Sequence, residues 1–143
     1  MSSKSVKHII APHNINTQQI ERLKLNISKS VILYSEMDEK NLADYDVFII
    51  DTIGLLTKIY SYADIAFVGG GFKTGLHNTL EPATFGIPIV TGPLFKKFQE
   101  AKDLVNLKGL LVVNSKKILI IKLPGAVSFQ HLTPPNNLNT KII

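Results

Sequence analysis

One stretch constrains the fold more than any other: residues 63–100, ADIAFVGGGFKTGLHNTLEPATFGIPIVTGPLFKKFQE. A short apolar run at 65–68 stops at three glycines, Gly69, Gly70 and Gly71, with a fourth at Gly75. His77-Asn78-Thr79-Leu80-Glu81 then reads as the start of a helix. After Gly86 comes a second apolar run at 87–90, closed by Gly92-Pro93. Strand, glycine loop, helix and strand make a βαβ unit whose loop lies at the carboxyl end of its first strand. Ligands of open α/β sheets bind at that edge. Backbone N–H groups of a glycine loop and a helix start suit an anionic group such as phosphate.

The flanking sequence continues the alternation. Residues 6–11 (VKHIIA) read as a strand that leaves the sheet at Pro12-His13-Asn14. Thr17 is the expected N-cap of a helix reaching about Ser28, with Ile20, Leu23 and Ile27 on one face. Strands are expected at 31–34 and 47–50, joined by the polar connection 35–46. The second of these is continuously apolar, as a parallel strand covered on both faces should be. It ends in Asp51-Thr52-Ile53-Gly54. Leu55, Leu56, Ile59, Tyr60 and Ala63 fall at helical spacing, and a further helix is expected at 96–107 before a strand at 110–113. Such alternation means a parallel sheet wound right-handed. Past residue 113 it stops: SKKILIIKLPGAVSFQHLTPPNNLNTKII has a strand-like patch at 118–123, then Pro, Gly and Asn-rich sequence without helical period. Residues 1–113 are therefore read as one incomplete ligand-binding domain, and 114–143 as an irregular tail, disordered or out of frame.

Charge narrows the function. The net charge is +5. Residues 1–103 hold 11 Lys and Arg against 11 Asp and Glu, which cancel, while 104–143 hold five lysines and no acid. The basic balance thus belongs to the tail. A nucleic-acid surface needs a basic face interleaved with aromatics, and the body offers none. There is no cysteine for a disulfide or thiolate site. The apolar region 47–68 is cut by Asp51, Lys58 and Asp64, so it is no membrane span.

Two glycine motifs fail. Gly70 and Gly75 have P-loop spacing, but Leu76-His77 replace Lys-Ser/Thr; Gly69 and Gly71 start a dinucleotide fingerprint that Thr74 breaks. His77 and Glu81, four apart on one expected helical face, make two metal ligands where a site needs three or four, and a third is found only if His13 folds in. Glu81 reads better as a carboxylate accepting from two sugar hydroxyls, against the plain alternative of an exposed first-turn acid favoured by the helix dipole. Asn78 either caps the helix, the default for such a residue, or turns its amide to a phosphate. His13 meets a phosphate or fills its loop. Asp51 and Thr52 organise their turn.

Laid out in this way, the run DTIGLL…YADIAFVGGGF…GLHNTLEPATFGIPIVTGP…KFQEAKDL resembles the C-terminal domain of 3-deoxy-D-manno-octulosonic acid (Kdo) transferases, GT-B glycosyltransferases of lipopolysaccharide assembly, in their Bacteroidetes branch. The segment Gly-x-His-Asn-x-Leu-Glu-Pro-Ala carries that resemblance. It implies an α/β, Rossmann-like parallel sheet with helices on both faces, the C-terminal half of a GT-B fold. It implies that CMP-Kdo is held by Pro12 and His13, by Ile53, Gly54 and Leu55, by Gly70 and Gly71, and by Asn78, Thr79, Leu80 and Glu81. His13 stands where the family usually has Arg, and Leu55 where many members have Glu. By the same resemblance no dinucleotide or bound metal is needed. The lipid A precursor and the general base belong to an N-terminal domain outside this sequence, so the chain alone is expected to transfer no sugar. The full enzyme is expected at the cytoplasmic face of the inner membrane, in contact with it. A non-catalytic nucleotide-binding remnant, or a GT-B enzyme or epimerase using a UDP-sugar, stays open.

Overall fold

The structure, a computed structural model, describes residues 7–38, 40–73, 75–114 and 140–142. Its elements in chain order are β1 (His8–Pro12), α1 (Thr17–Leu25), β2 (Val31–Leu33), β3 (Val47–Ile49), α2 (Leu56–Ile59), β4 (Ala66–Phe67), α3 (Leu80–Thr84), β5 (Ile89–Thr91), α4 (Gln99–Asn106), β6 (Leu110–Val112) and β7 (Thr140–Ile142). The described strands form one sheet in the order β2-β3-β1-β7-β4-β5-β6. Within each flank all pairing is parallel: β3 lies between β1 and β2, and β5 between β4 and β6. The expected α/β architecture with a parallel sheet is what the chain adopts.

Register shows that helices cover both faces. Cross-strand partners point their side chains to the same side of a sheet. Ile10 pairs with Ile49, and Leu33 with the same Ile49, so these share a face. Ile20, Leu23 and Ile27, from α1 and the turn after it, pack on that face in one cluster with Ile10, Leu33, Val47 and Ile49. Through the register Ile10–Ile142–Phe67–Val90, the same side of the sheet continues to Phe67 and Val90. Ile89 and Leu110, which pair with each other, therefore face the opposite side. There Ala101, Leu104 and Val105 of α4 close a second cluster with Val68 and Leu76. The helix over 96–107 was expected to turn Phe98, Ala101, Leu104 and Val105 inward, and all four lie in this cluster.

Element ends differ from the expectation for local reasons. The N-cap of α1 is Asn16, not Thr17: its Oδ1 accepts from the Gln19 N–H at 3.2 Å. That helix stops short of Ser28 because the Asn26 amide donates to the Arg22 carbonyl at 2.9 Å and ends the turn. The helical spacing over 55–63 resolves into the single turn α2 and a 3₁₀ turn, Tyr60–Tyr62. Thr140–Ile142, within the span read as an irregular tail, forms β7. It lies antiparallel between β1 and β4, pairing three residues with β1 and one with β4. Three residues carry no periodicity, so pattern reading had nothing to find there. The strand-like patch at 118–123 lies outside the described residues.

His8 tests the packing of β1. It is buried, 5% exposed, and its N–H donates to the Asp46 carbonyl at 2.9 Å. Burial, helped by the nearby Lys29 charge, lowers the imidazole below its ordinary value of 6.5 against the opposing pull of Asp46. A lowered folded-state value means that the unfolded chain takes up the proton first. The neutral His8 contribution is therefore full above pH 6.5 and is lost as pH falls below it. Thermal unfolding followed from pH 7.5 to 5.5 should show Tm falling with acid, and His8→Phe should flatten that fall. An unchanged slope in the variant contradicts the assignment.

Candidate functional site

Four parallel strands end along one edge of the sheet and carry the site there: β1 into Pro12-His13, β3 into Asp51-Thr52-Ile53-Gly54, β4 into the glycine loop, and β5 into Gly92. The glycine loop folds back on itself. Gly70 accepts from Lys73 and Gly75 at 3.3 and 3.0 Å, and Gly69 accepts from the His77 N–H at 3.1 Å. Gly70 has φ +84°, a conformation that L side chains rarely adopt. A Cβ added there would overlap the Gly75 carbonyl oxygen and sit 3.3 Å from the His77 ring. Gly71 is walled in by Thr91 Oγ1 and the Gly92 backbone, which a Cβ would meet at 2.5 and 2.7 Å. Its carbonyl accepts from the Leu94 N–H at 2.8 Å. Gly71 therefore holds the loop down on β5 rather than facing a ligand.

The loop brings distant residues together. The His13 and His77 rings stack with centroids 4.6 Å apart and planes 21° apart, which ties the turn after β1 to the loop after β4. His13 is exposed and His77 half-buried, with the His77 Nε2 closed off from the surface. Asn78 does two things: its Oδ1 accepts from the Leu80 N–H at 2.9 Å, and its amide donates to Glu81 Oε1 at 3.1 Å. Asn78 thus makes an Asx turn just ahead of the helix, whose N-cap is Thr79 and not Asn78, and the same side chain steadies the Glu81 carboxylate. Glu81 is half-buried on the first turn of α3.

Two expectations need correction here. His77 is not on the helix: α3 begins at Leu80, so His77 and Glu81 do not share a helical face. The cause is the Asx turn of Asn78, which starts the helix two residues later than its side chain. Backbone donors of the glycine loop were expected to face an anion, yet those of Lys73, Gly75 and His77 are used on the loop's own carbonyls.

The remaining candidates divide by exposure. Ile53 is 86% exposed, and Gly54 at φ +87° takes a turn conformation with open space around its missing side chain. Their loop follows β3, the neighbour of β1, which sets it beside Pro12 and His13 along the edge. Leu55 is half-buried at the start of α2. Leu80 is exposed, whereas Thr79 is 1% exposed with its hydroxyl inward, which leaves it only a backbone contact to offer. Asp51 is held by Ser35, accepting from its N–H at 2.9 Å and from its hydroxyl. Asp51 therefore ties the end of β3 to the segment after β2, where it was expected to organise its own turn with Thr52. Among the described residues there is no group of three or more His, Cys, Asp and Glu placed to hold a metal ion.

Sequence reasoning missed Tyr60. It is 1% exposed, its ring packs at 5.9 Å and 38° against Phe85 at the end of α3, and the Glu81 charge acts on its phenol. The helical spacing of Tyr60 marked only a core position; nothing in the pattern showed which helix it would lie under.

No family model matches the chain. Similarity to individual proteins is clear. Over 93 residues the chain is 39% identical to the 3-deoxy-D-manno-octulosonic acid transferase of Chlamydophila psittaci, covering 63% of this chain and 21% of that protein. Over 127 residues it is 30% identical to the enzyme of the same name from Aquifex aeolicus, covering 87% of this chain and 34% of the relative. The chain therefore spans a fifth to a third of the length of these curated relatives. Among solved structures, it superposes on the C-terminal CMP-Kdo binding domain of WaaA from Acinetobacter baumannii. The TM-score is 0.61 at 26% identity, over 73% of this chain and 55% of that one. No described helix is long and apolar enough to cross a membrane. By sequence and by fold, the chain is a relative of the 3-deoxy-D-manno-octulosonic acid transferases and corresponds to their C-terminal domain.

Proposed function

We propose that this chain is the donor-binding part of a GT-B glycosyltransferase that moves Kdo from CMP-Kdo to a lipid A precursor in lipopolysaccharide synthesis. The observation that carries the proposal is a coincidence of place. The edge where His13 meets His77 and where Glu81 is steadied by Asn78 belongs to a fold shared with a CMP-Kdo binding domain. In this reading the Glu81 carboxylate accepts from the two ribose hydroxyls of CMP, and the ring N–H groups of His13 and His77 lie by its phosphate. Ile53, Gly54 and Leu55 line the neighbouring stretch of the edge.

The acceptor oxygen attacks the anomeric carbon of Kdo as CMP leaves. Hydrogen-bond donors fixed near the phosphate favour that departure because they meet charge that develops in the transition state. The base that takes the acceptor's proton is assigned to no residue of this chain. With this function goes a station at the cytoplasmic face of the inner membrane, where a lipid A precursor is presented, and membrane contact by the full-length enzyme.

Calorimetric titration of the 143-residue chain tests the reading. CMP should bind more tightly than UMP, and Glu81→Gln should weaken CMP about ten-fold, since a hydrogen bond to a charged group contributes roughly 1.5–3 kcal/mol. Equal binding of CMP and UMP overturns the donor assignment and favours a UDP-sugar enzyme. A second variant probes the loop. Gly70→Ala puts a side chain at φ +84° and onto the Gly75 carbonyl, so it should abolish CMP binding while far-UV circular dichroism stays native. Retained affinity in that variant means that the loop is not part of the site.

A further inference from the structure

Beneath α3 lie two hydroxyls that the proposed chemistry leaves unused. Tyr60 and Thr79 are each 1% exposed, and neither Tyr60 Oη nor Thr79 Oγ1 has a hydrogen-bond partner among the described residues. A buried hydroxyl without a partner is costly, and native structures rarely keep one without a reason. Thr79 lies inward at the start of α3 and can be understood as a core position of fixed shape. Tyr60 is different. Its ring is held against Phe85, one turn along α3 from Glu81. Burial, and after it the Glu81 charge, raises the phenol well above the ordinary tyrosine range. Tyr60 therefore stays protonated at any working pH and remains a hydrogen-bond donor, packed against the side of α3 on which Phe85 and Glu81 stand four residues apart.

We propose that Tyr60 is a positioning residue for Glu81: its hydroxyl, without a partner among the described residues, donates to the Glu81 carboxylate when a vicinal diol engages it. The inference rests on the reading of Glu81 as the ribose acceptor and extends it. Among the described residues the Glu81 carboxylate accepts through Oε1 from the Asn78 amide, and Oε2 has no such donor. A carboxylate gripped at one oxygen still rotates about its last side-chain bond. To accept from two adjacent hydroxyls at once it needs a fixed plane. A second donor from beneath the helix supplies that constraint, at the moment when ligand binding turns the carboxylate.

The arrangement makes an unusual joint expectation for Tyr60→Phe, which keeps the ring and its contact with Phe85. Removing an unpartnered buried hydroxyl should raise Tm, by roughly 2–4 °C for a domain of this size. The same change should weaken CMP about ten-fold, as for loss of one hydrogen bond to a charged group, and leave 2′-deoxy-CMP almost unaffected. On a Glu81→Gln background the Tyr60→Phe effect on CMP should vanish, the mark of coupled residues. Unchanged CMP affinity in Tyr60→Phe overturns the inference, as does an equal loss for CMP and 2′-deoxy-CMP, which a merely structural role would give. If Glu81→Gln alone leaves CMP binding intact, the ribose reading of Glu81 and this extension both fall. If Glu81→Gln weakens binding and Tyr60→Phe does not, only the extension does.

Discussion

Gly71 and Gly92 meet backbone to backbone, and the site depends on that contact. No side chain fits between them: a Cβ on either would lie under 3 Å from the other strand's backbone. The approach is fastened on both sides, by the Leu94 N–H on the Gly71 carbonyl and by the Thr91 hydroxyl on the Val68 carbonyl at 3.0 Å. Because the chain leaving β4 is pressed against the end of β5, it must turn at once, and Gly70 at positive φ makes that turn possible. The return brings His77 back against Gly70 and onto His13. The run of glycines is thus first a packing device, and the site is what the packing leaves at the edge.

That device sets which backbone donors the loop leaves free. Glycine loops often present rows of N–H groups to a phosphate. In this loop the donors of Lys73, Gly75 and His77 are spent on closing the turn. The five-residue α3 has too few aligned peptide units for a strong end charge, and its first turn already carries Glu81 and follows an Asx turn. The side chains fixed at this edge by stacking and by hydrogen bonds are the imidazole pair and the Asn78–Glu81 couple. His77, Asn78 and Glu81 stand in the sequence segment that carries the family resemblance, and His13 lies outside it.

Much of this could be read from residues alone, and the failures have physical causes. Alternating apolar runs and helical spacing located β1, β3, β4, β5, α1 and α4 to within a few residues. Only one geometry buries strands that are apolar on both faces. The gathering of His13, the glycine loop and Glu81 at one edge followed from the same topology. Contacts between segments far apart in sequence did not. The stacking of His13 on His77 spans 64 positions, and the place of Tyr60 under α3 depends on a tertiary crossing that no period encodes. The start of α3 was misread because an Asx turn at Asn78 overrode the local helical pattern. β7 was missed because three residues carry too little pattern to register.

β7 also sets how the molecule answers to load. The two parallel flanks of the sheet do not touch each other directly along their central strands; β7 lies between β1 and β4, with a single residue pair on the β4 side. His13 belongs to one flank and His77 to the other, so their stacked rings bridge that thin joint at its upper rim. A molecule grasped by both would act as a rivet across the seam. Part of its affinity would then be felt not where it sits but as stiffness between two halves that the backbone alone holds loosely.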